Sequence, residues 1–400
     1  MIPEKIMRRE IDPSRTRPLR WGAIGLGRGF MLMRQTFSND PRCLLVAGMD
    51  PRIEARDAFE QEFSAPTYKS VEDLCANESV EVVYLGSPHQ WHAEQAVICA
   101  RHGKHVLVDK PMALDLADCS NMIEACDRYG VSLIAGPSHG FDAPVIQASS
   151  LIESGQFGSV RMITAVNFTD FLYRPRRPEE LNTDQGGGVV FSQGSHHVDV
   201  VRRLAGAPLR SVRAAVGRWD PTRPADGAYQ ALLNFENDVT ASITYSGYGH
   251  YDTDALQDWI SETGKKRDSN DYGAARRRLA GGSEADLKNK RAYGSRYAND
   301  APAISHEHFG FIVASCDHAD LHIRATGLDI YADDRHWTTH TPMRDATRAT
   351  VIDEVWAAIT QGVCPLHDGR WGAENLAACL AILRSGTEHR EVSMSELTGK

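Results

Sequence analysis

From Leu19 onward, short apolar runs alternate with amphipathic ones. LRWGAIGLG is apolar and closes on glycines, which predicts a strand buried on both faces. GFMLMRQTFSND then predicts a helix. CLLVAGMD predicts a second strand ending at Asp50, and RIEARDAFEQEF an amphipathic helix. VEVVYLGS, HAEQAVICARHG (closed by Gly103), KHVLVDKP, LADCSNMIEACDRYG and VSLIAGPSH continue as strand, helix, strand, helix, strand. This alternation with short connections predicts a doubly wound parallel sheet over residues 19–140.

The pattern changes near Gly140. FDAPVIQASSLIESGQFG predicts one long helix with a glycine stop. The strands after it lengthen and alternate apolar with polar: SVRMITAVNFTDF, LRSVRAAVGRWD, AYQALLNFENDVTASITYSGYG. They predict an antiparallel sheet with one face buried. Asn237-Asp238 sits between two such runs and predicts a hairpin. A second, α+β domain is therefore expected over 141–395. An insertion at about 264–300 breaks its pattern. Residues 1–18 read as an extended arm, solvated or laid on a neighbouring subunit.

Composition narrows the class. The 400 residues are 42% apolar and 24% charged, enough for two cores and too apolar for a disordered chain. Lys+Arg number 44 against 53 Asp+Glu, a net charge of −9, which argues against nucleic acid as a partner. The sum hides a local charge. Residues 265–297 hold ten Lys/Arg and four acids, a net of +6, which leaves −15 for the rest. The ordinary reading of that segment is a solvated, mobile loop with a short helix; the other is a surface for a small anion or a neighbouring subunit. The eight cysteines form no C-x-x-C pair and fit buried thiols in a reducing cytosol rather than a zinc site or disulfide framework. The N-terminus has no apolar run after its basic residues, and no stretch reaches about 18 apolar residues. A cytoplasmic protein with no membrane partner is expected.

Gly25-Leu26-Gly27-Arg28-Gly29-Phe30 follows the first strand and opens the first helix. The spacing predicts a dinucleotide site, with Gly25 for the turn, Gly27 for backbone approach to a pyrophosphate, and the helix N-terminus to bind it. Phe30 stands where the third glycine of that fingerprint belongs, so the helix–strand packing there is expected to tolerate a larger residue. Asp50, ending the second strand, favours NAD; Arg52 leaves NADP open.

Two later segments carry candidate chemistry. Lys110 lies at the carboxyl end of a parallel strand, where ligands bind, although surface lysines are common there. In GGGVVFSQGSHHVD (186–199), a continuous helix over SQGSHHVDVVRRLAG puts Ser192, His196, Asp199 and Arg203 on one face. His196 with Asp199 one turn away reads equally as a general base and as a structural histidine. Arg174, Arg176 and Arg177 precede the glycines and read either as carboxylate clamps or as a solvated loop. The pairs His306/His308 and His89/His92 lack a third ligand, so no metal is expected; His308 and His306 are candidate substrate contacts.

GLGRGF, SPHQWH (87–92), DKP (109–111) and GGGVVFSQGSHHVD together resemble the glucose–fructose oxidoreductase / inositol dehydrogenase / MocA family. The resemblance covers most of 19–260 and extends to GRWGAENLAACLAILRS at 369–385. It implies an N-terminal Rossmann domain and a C-terminal domain with a large open antiparallel sheet that packs on another subunit, as a homodimer or homotetramer. It implies oxidation or reduction, with NAD or NADP, of a hydroxyl or carbonyl on a sugar, polyol or cyclic diol, and here oxidation of a ring hydroxyl of a small-molecule substrate is expected. It adds Ser87, Pro88, His92 and Asp109 to the cofactor contacts, makes His196 the base, and has Lys110 polarise the oxygen and position the nicotinamide. Two positions depart from the family: Asp109 replaces a Glu, and Ser192 stands where an Asp often assists proton transfer. FSQGxHxxD, YRPRRPEELNTDQGGG and YGAARRRLAG look like the branch containing phthalate 4,5-cis-dihydrodiol dehydrogenase. That branch implies an anionic substrate met by Arg174, Arg176, Ser192, Asp199 and His308. A sugar or inositol dehydrogenase and a non-catalytic dinucleotide sensor remain the alternatives.

Overall fold

The computed structural model describes residues 17–271, 273–295 and 302–399. The expected N-terminal arm falls almost wholly outside them. The chain divides into two compact units. The first takes in the described residues of Met1–Pro137, Asn289–Asn299 and Arg344–Leu376; the second those of Ser138–Lys288, Asp300–Met343 and Ala377–Lys400.

The first unit begins β1 (Leu19–Ile24), α1 (Arg28–Asn39), β2 (Cys43–Met49), α2 (Ile53–Phe63), β3 (Thr67–Tyr68), α3 (Val71–Ala76), β4 (Val82–Leu85), α4 (His92–Arg101), β5 (His105–Val108), α5 (Leu116–Tyr129) and β6 (Leu133–Ala135). The six strands are all parallel, in the order β3-β2-β1-β4-β5-β6. Strands β4 and β5 are buried at every position, as continuous apolar runs in a parallel sheet require. Ser70 and Asp115 cap α3 and α5 by accepting N–H groups three residues on. The order reverses between β1 and β4. This is the switch point where ligands of such sheets bind, and the loops after both strands open there. The segment around Tyr293 also belongs to this unit: its buried ring stands edge-on to Phe30 at 4.9 Å, and its hydroxyl donates to Glu62 at 2.8 Å.

The second unit is built on α6 (Ala143–Glu153), β7 (Val160–Phe168), α7 (Ser195–Ala205), β8 (Leu209–Gly217), β9 (Ala228–Phe235), β10 (Thr240–Ser246), the short α8 (Ala274–Ala280) and α9 (Glu284–Asn289), and β11 (Phe311–Cys316), β12 (Ala319–Arg324), β13 (Gly327–Ala332) and β14 (His336–His340). After α10 (Ala349–Trp356) of the first unit and α11 (Gly369–Glu388), which runs from one unit into the other, β15 (Val392–Ser393) completes a nine-stranded sheet. Its order is β14-β13-β12-β11-β7-β10-β9-β8-β15. Asn237-Asp238 turns the β9–β10 hairpin, with Asp238 left-handed at φ 63°. The sheet is not wholly antiparallel, because β7 and β10 pair parallel. A parallel pair needs a long crossover, and here α7, β8 and β9 together supply it between β7 and β10. Exposed Met162, Leu232 and Tyr331 mark the outward face.

The basic insertion is not a loose loop. Arg267 pairs with Asp252 and Asp254, and Arg276 donates to the carbonyls of Tyr248 and Gly249 while lying 3.8 Å over Tyr173. Lys288 holds Glu180 at 2.7 Å. These cations stabilise the fold rather than forming an open anion surface. Among the described residues no helix is long and apolar enough to cross a membrane.

Candidate active site

The first unit carries the candidate cofactor residues on the loops after β1, β2, β4 and β5. Gly25 turns the chain at φ 81°, and Gly27 begins α1 with no side chain capping the first N–H groups. Those groups and the exposed Arg28 are what a pyrophosphate needs, so the residues fit NAD. The packing at the third fingerprint position takes the larger residue expected from sequence. Phe30 points into the core among Phe37, Phe59, Phe63 and Tyr293. Gly29 makes the close approach instead: a Cβ there would lie 2.5 Å from Asp109 Oδ2 and 2.9 Å from the Tyr84 hydroxyl. Gly29→Ala is expected to push α1 off the sheet and weaken NAD binding about tenfold or more, since misplacing the N–H groups by a few tenths of an ångström lengthens every phosphate contact. Fluorescence titration with NADH checks this.

Asp50 is buried and already holds the loop. Its oxygens accept the N–H groups of Leu26 and Arg52, both at 2.9 Å, and the Arg52 guanidinium at 3.0 and 3.1 Å. All four acceptor positions of the carboxylate are thus filled, so a ribose hydroxyl reaches it only as Arg52 lets go. His92 is a staple rather than a direct ligand. It is buried, with Nδ1 3.1 Å from the Pro111 carbonyl and Nε2 3.0 Å from that of Ser87, and burial lowers its pKa. It ties the Ser87-Pro88 loop to the Lys110-Pro111 turn. The Ser87 hydroxyl donates to Gln95, and the Lys110 N–H donates to Asp109 Oδ1 at 2.8 Å. Lys110 itself is half-buried at the carboxyl end of β5.

In the second unit the glycine-rich segment does not run straight into a helix. Val190–Gly194 forms a π-helical turn before α7. Such turns accompany functional sites and rotate the residues beyond them about the helix axis. The Ser192 hydroxyl donates to the Gly188 carbonyl. His196 is half-buried on a helix whose neighbouring positions are almost all buried. Its Nδ1 lies 3.1 Å from the Ser138 hydroxyl, a partner that local sequence does not reveal. Asp199 accepts the Gly140 N–H at 3.0 Å, and Arg203 donates to the Gly140 carbonyl at 3.1 Å. Together they grip the turn His139–Phe141.

That turn brings His139 into the site. Its ring centroid is 4.6 Å from that of His196, and Phe309 packs on both. His139 Nδ1 meets Asp142 Oδ2 at 2.7 Å, and Glu307 also lies in this cluster. Burial opposes charge on His139, but Asp142, Glu307 and Glu262 outweigh it and raise its pKa. The signal in sequence was the polar run Ser138-His139 just past the carboxyl end of β6, where ligand-facing groups gather.

The expected substrate contacts divide. Arg174 is committed to Asp170 (3.2 Å) and Glu262 (3.1 Å), so its fork is already occupied. Arg177 pairs with Glu179 at 2.7 Å. Arg176 differs. Its guanidinium lies 3.5 Å over Phe171 and donates to the Phe171 carbonyl, Glu180 is 3.8 Å away, and its buried Nε has no hydrogen-bond partner among the described residues. Burial lowers its pKa to about 10. His308 is structural: its Nε2 donates to the Ile260 carbonyl at 2.7 Å and its Nδ1 accepts the Gly310 N–H, which leaves no ring nitrogen for a substrate. His306 Nε2 likewise meets the Thr341 carbonyl.

Comparison with known proteins places this geometry in a family. Residues 19–136 match the family described as "Oxidoreductase family, NAD-binding Rossmann fold", and 145–267 match its C-terminal domain. A 1-carboxy-3-chloro-3,4-dihydroxycyclohexa-1,5-diene dehydrogenase of Comamonas testosteroni is 45% identical over 92% of this chain and 95% of its own. A trans-1,2-dihydrobenzene-1,2-diol dehydrogenase of Mus musculus is 28% identical over 57% of this chain and 68% of its own. A solved protein of Bordetella bronchiseptica RB50, described as a dehydrogenase, superposes with a TM-score of 0.90 at 35% identity over 94% of this chain and all of its own. The chain belongs to the glucose–fructose oxidoreductase / inositol dehydrogenase / MocA family of NAD-dependent oxidoreductases, which act on hydroxyl donors.

Proposed function

We propose that the protein oxidises a ring secondary hydroxyl of a carboxylated aromatic cis-dihydrodiol, giving a catechol. The observation that carries this reading is the 45% identity, over nearly the whole of both chains, to a dehydrogenase named for a carboxylated dihydroxycyclohexadiene. Arg176 supports it. A buried guanidinium on an aromatic face with an unpartnered Nε is a partly compensated cation, and a carboxylate is its natural partner.

Bound NAD supplies the hydride acceptor. The loop after β1 and the N-terminus of α1 bind it, and the His92 staple fixes the neighbouring loops. Lys110 polarises the hydroxyl oxygen and stabilises negative charge as its proton leaves. His196, its Nδ1 oriented by Ser138, takes that proton. Rearomatisation of the ring favours the forward direction.

Steady-state NADH formation tests the reading. Phthalate 4,5-cis-dihydrodiol and the 1-carboxy-3-chloro diol are expected to turn over with kcat/KM about a hundredfold above that of uncarboxylated diols, the worth of one charge-assisted contact in a dry site. Arg176→Ala is expected to erase that preference. Turnover of myo-inositol and aldoses but not of the acids would move the protein to polyol oxidation.

A further inference from the structure

We propose that Phe309 is a positioning residue: its ring sets the orientation of the His196 imidazole, and the turn His308-Phe309-Gly310 is built to hold that ring in place. The inference rests on the assignment of His196 as the base. It gives the HEHFG segment, whose two histidines are turned to backbone carbonyls, a part in the reaction.

Phe309 is 2% exposed. Its ring centroid lies 5.1 Å from that of His196 at an interplanar angle of 49°, and 4.7 Å from that of His197 at 84°. Successive side chains on an α-helix diverge by about 100°. A ring that touches both therefore sits in the notch between them. Rotation of α7 in either direction drives one imidazole into Phe309 and draws the other away. The notch thus fixes the phase of the helix where the π-helical turn ends. His197 is anchored in its own right, buried with Nδ1 2.8 Å from the Tyr229 hydroxyl. Ser138 meets His196 at Nδ1, and Phe309 adds an apolar contact with the ring that a hydrogen bond at one edge does not supply.

The turn that carries Phe309 is pinned at both neighbours. His308 Nε2 donates to the Ile260 carbonyl at 2.7 Å, and its Nδ1 accepts the Gly310 N–H at 3.1 Å. Gln257 donates to the Gly310 carbonyl at 2.8 Å. Gly310 has φ 81°, and a Cβ there would lie 2.4 Å from the Val166 carbonyl oxygen, so the turn packs directly on β7. Phe309 also lies nearly parallel to Tyr245 (6.0 Å, 15°), and Tyr245 to Tyr229 (5.9 Å, 16°). The Tyr245 hydroxyl meets that of Thr169 at 2.9 Å. These stacked rings refer the base to strands β10 and β9. A base works only when held to within about 0.5 Å and 10–20° of the productive geometry. Phe309 itself takes no part in proton transfer; the hydroxyl proton passes to His196.

Phe309→Leu, made in the full chain, keeps the position apolar and removes the flat ring. It should lower kcat for the carboxylated diol about 10- to 100-fold, with the diol KM and NADH affinity held within about threefold. Phe235→Leu is the comparison. It truncates an equally buried ring at the last residue of β9, opposite Leu209, and should lower the urea midpoint by a similar amount with kcat unchanged. The ring NMR signals of His196, assigned by their loss in His196→Asn, should carry a ring-current shift from Phe309 in the wild-type protein without substrate. In Phe309→Leu they should move toward the free-histidine position and broaden. Unmoved His196 signals, or a kcat loss no larger than that of Phe235→Leu, overturn the proposal. So does a raised KM with kcat kept, which would make Phe309 a wall of the substrate pocket. If the wild-type protein oxidises no diol or polyol while the NMR result holds, the assignment of function fails and the placement of the ring by Phe309 stands. If Phe309→Leu does not fold, Phe309→Met, which fills the space with a flexible chain, takes its place in both measurements.

Discussion

Lys110→Met and His196→Asn are each expected to lower kcat by about 10²- to 10⁴-fold, the range for losing one positioned proton-transfer or charge-stabilising group. NAD affinity should stay within a few-fold, because neither substitution alters α1, the loop after β1 or the His92 staple. The replacements are chosen for shape. Met keeps the length of the lysine stem and removes only the ammonium, and the Lys110 N–H stays bound to Asp109. Asn keeps a polar group near the Ser138 hydroxyl but has no proton affinity in the useful range. Single-turnover rates with the carboxylated diol, beside NAD titration by calorimetry, separate chemistry from binding. Unchanged turnover in both variants would leave a dinucleotide sensor as the better description.

The second large effect is on stability. Asp226 is fully buried. Its Oδ2 accepts the Val190 N–H at 2.8 Å and its Oδ1 the Thr183 hydroxyl at 2.7 Å, while its carbonyl accepts the Val189 N–H. A Cβ on Gly188 would lie 2.2 Å from Oδ1, so the last of the three glycines is small because this carboxyl group fills the space. Asp226→Ala strands two buried donors and opens a cavity under the π turn. A loss of about 2–4 kcal/mol is expected, with Asp226→Asn losing about half as much. Urea midpoints at constant m-value measure the effect. A parallel fall in kcat for the Ala variant would show that the turn also holds His196 in register.

The two unlike sheets were legible because their periods differ: continuous apolar runs through β5, strict alternation from β8 to β10. The parallel β7–β10 pair was not, since alternation reports which face is buried and says nothing of strand direction. The cofactor loop was legible as a motif, and so was the larger residue at Phe30, but the close approach at Gly29 was not. Only the packing partners Tyr84 and Asp109, distant in sequence, show that Gly29 must stay small. Motifs pointed to Lys110 and His196 as candidates. They did not point to Ser138, His139 or Asp226, each of which meets a residue far along the chain. The arginine loop misled for a related reason: sequence shows the cations of Arg174 and the insertion but hides the carboxylates, such as Glu262, that neutralise them.

The β7–β10 pair has a consequence for how the protein reaches its working state. Met162 aligns with Thr240, so closing this part of the sheet brings together strands separated by the whole of α7, β8 and β9. The entropy lost in that closure must be met before the pairing rewards it, which makes it a slow step. His196 lies inside the loop being closed. During refolding, recovery of turnover is therefore expected to wait for this closure, and the time it takes reports the assembly of the second sheet.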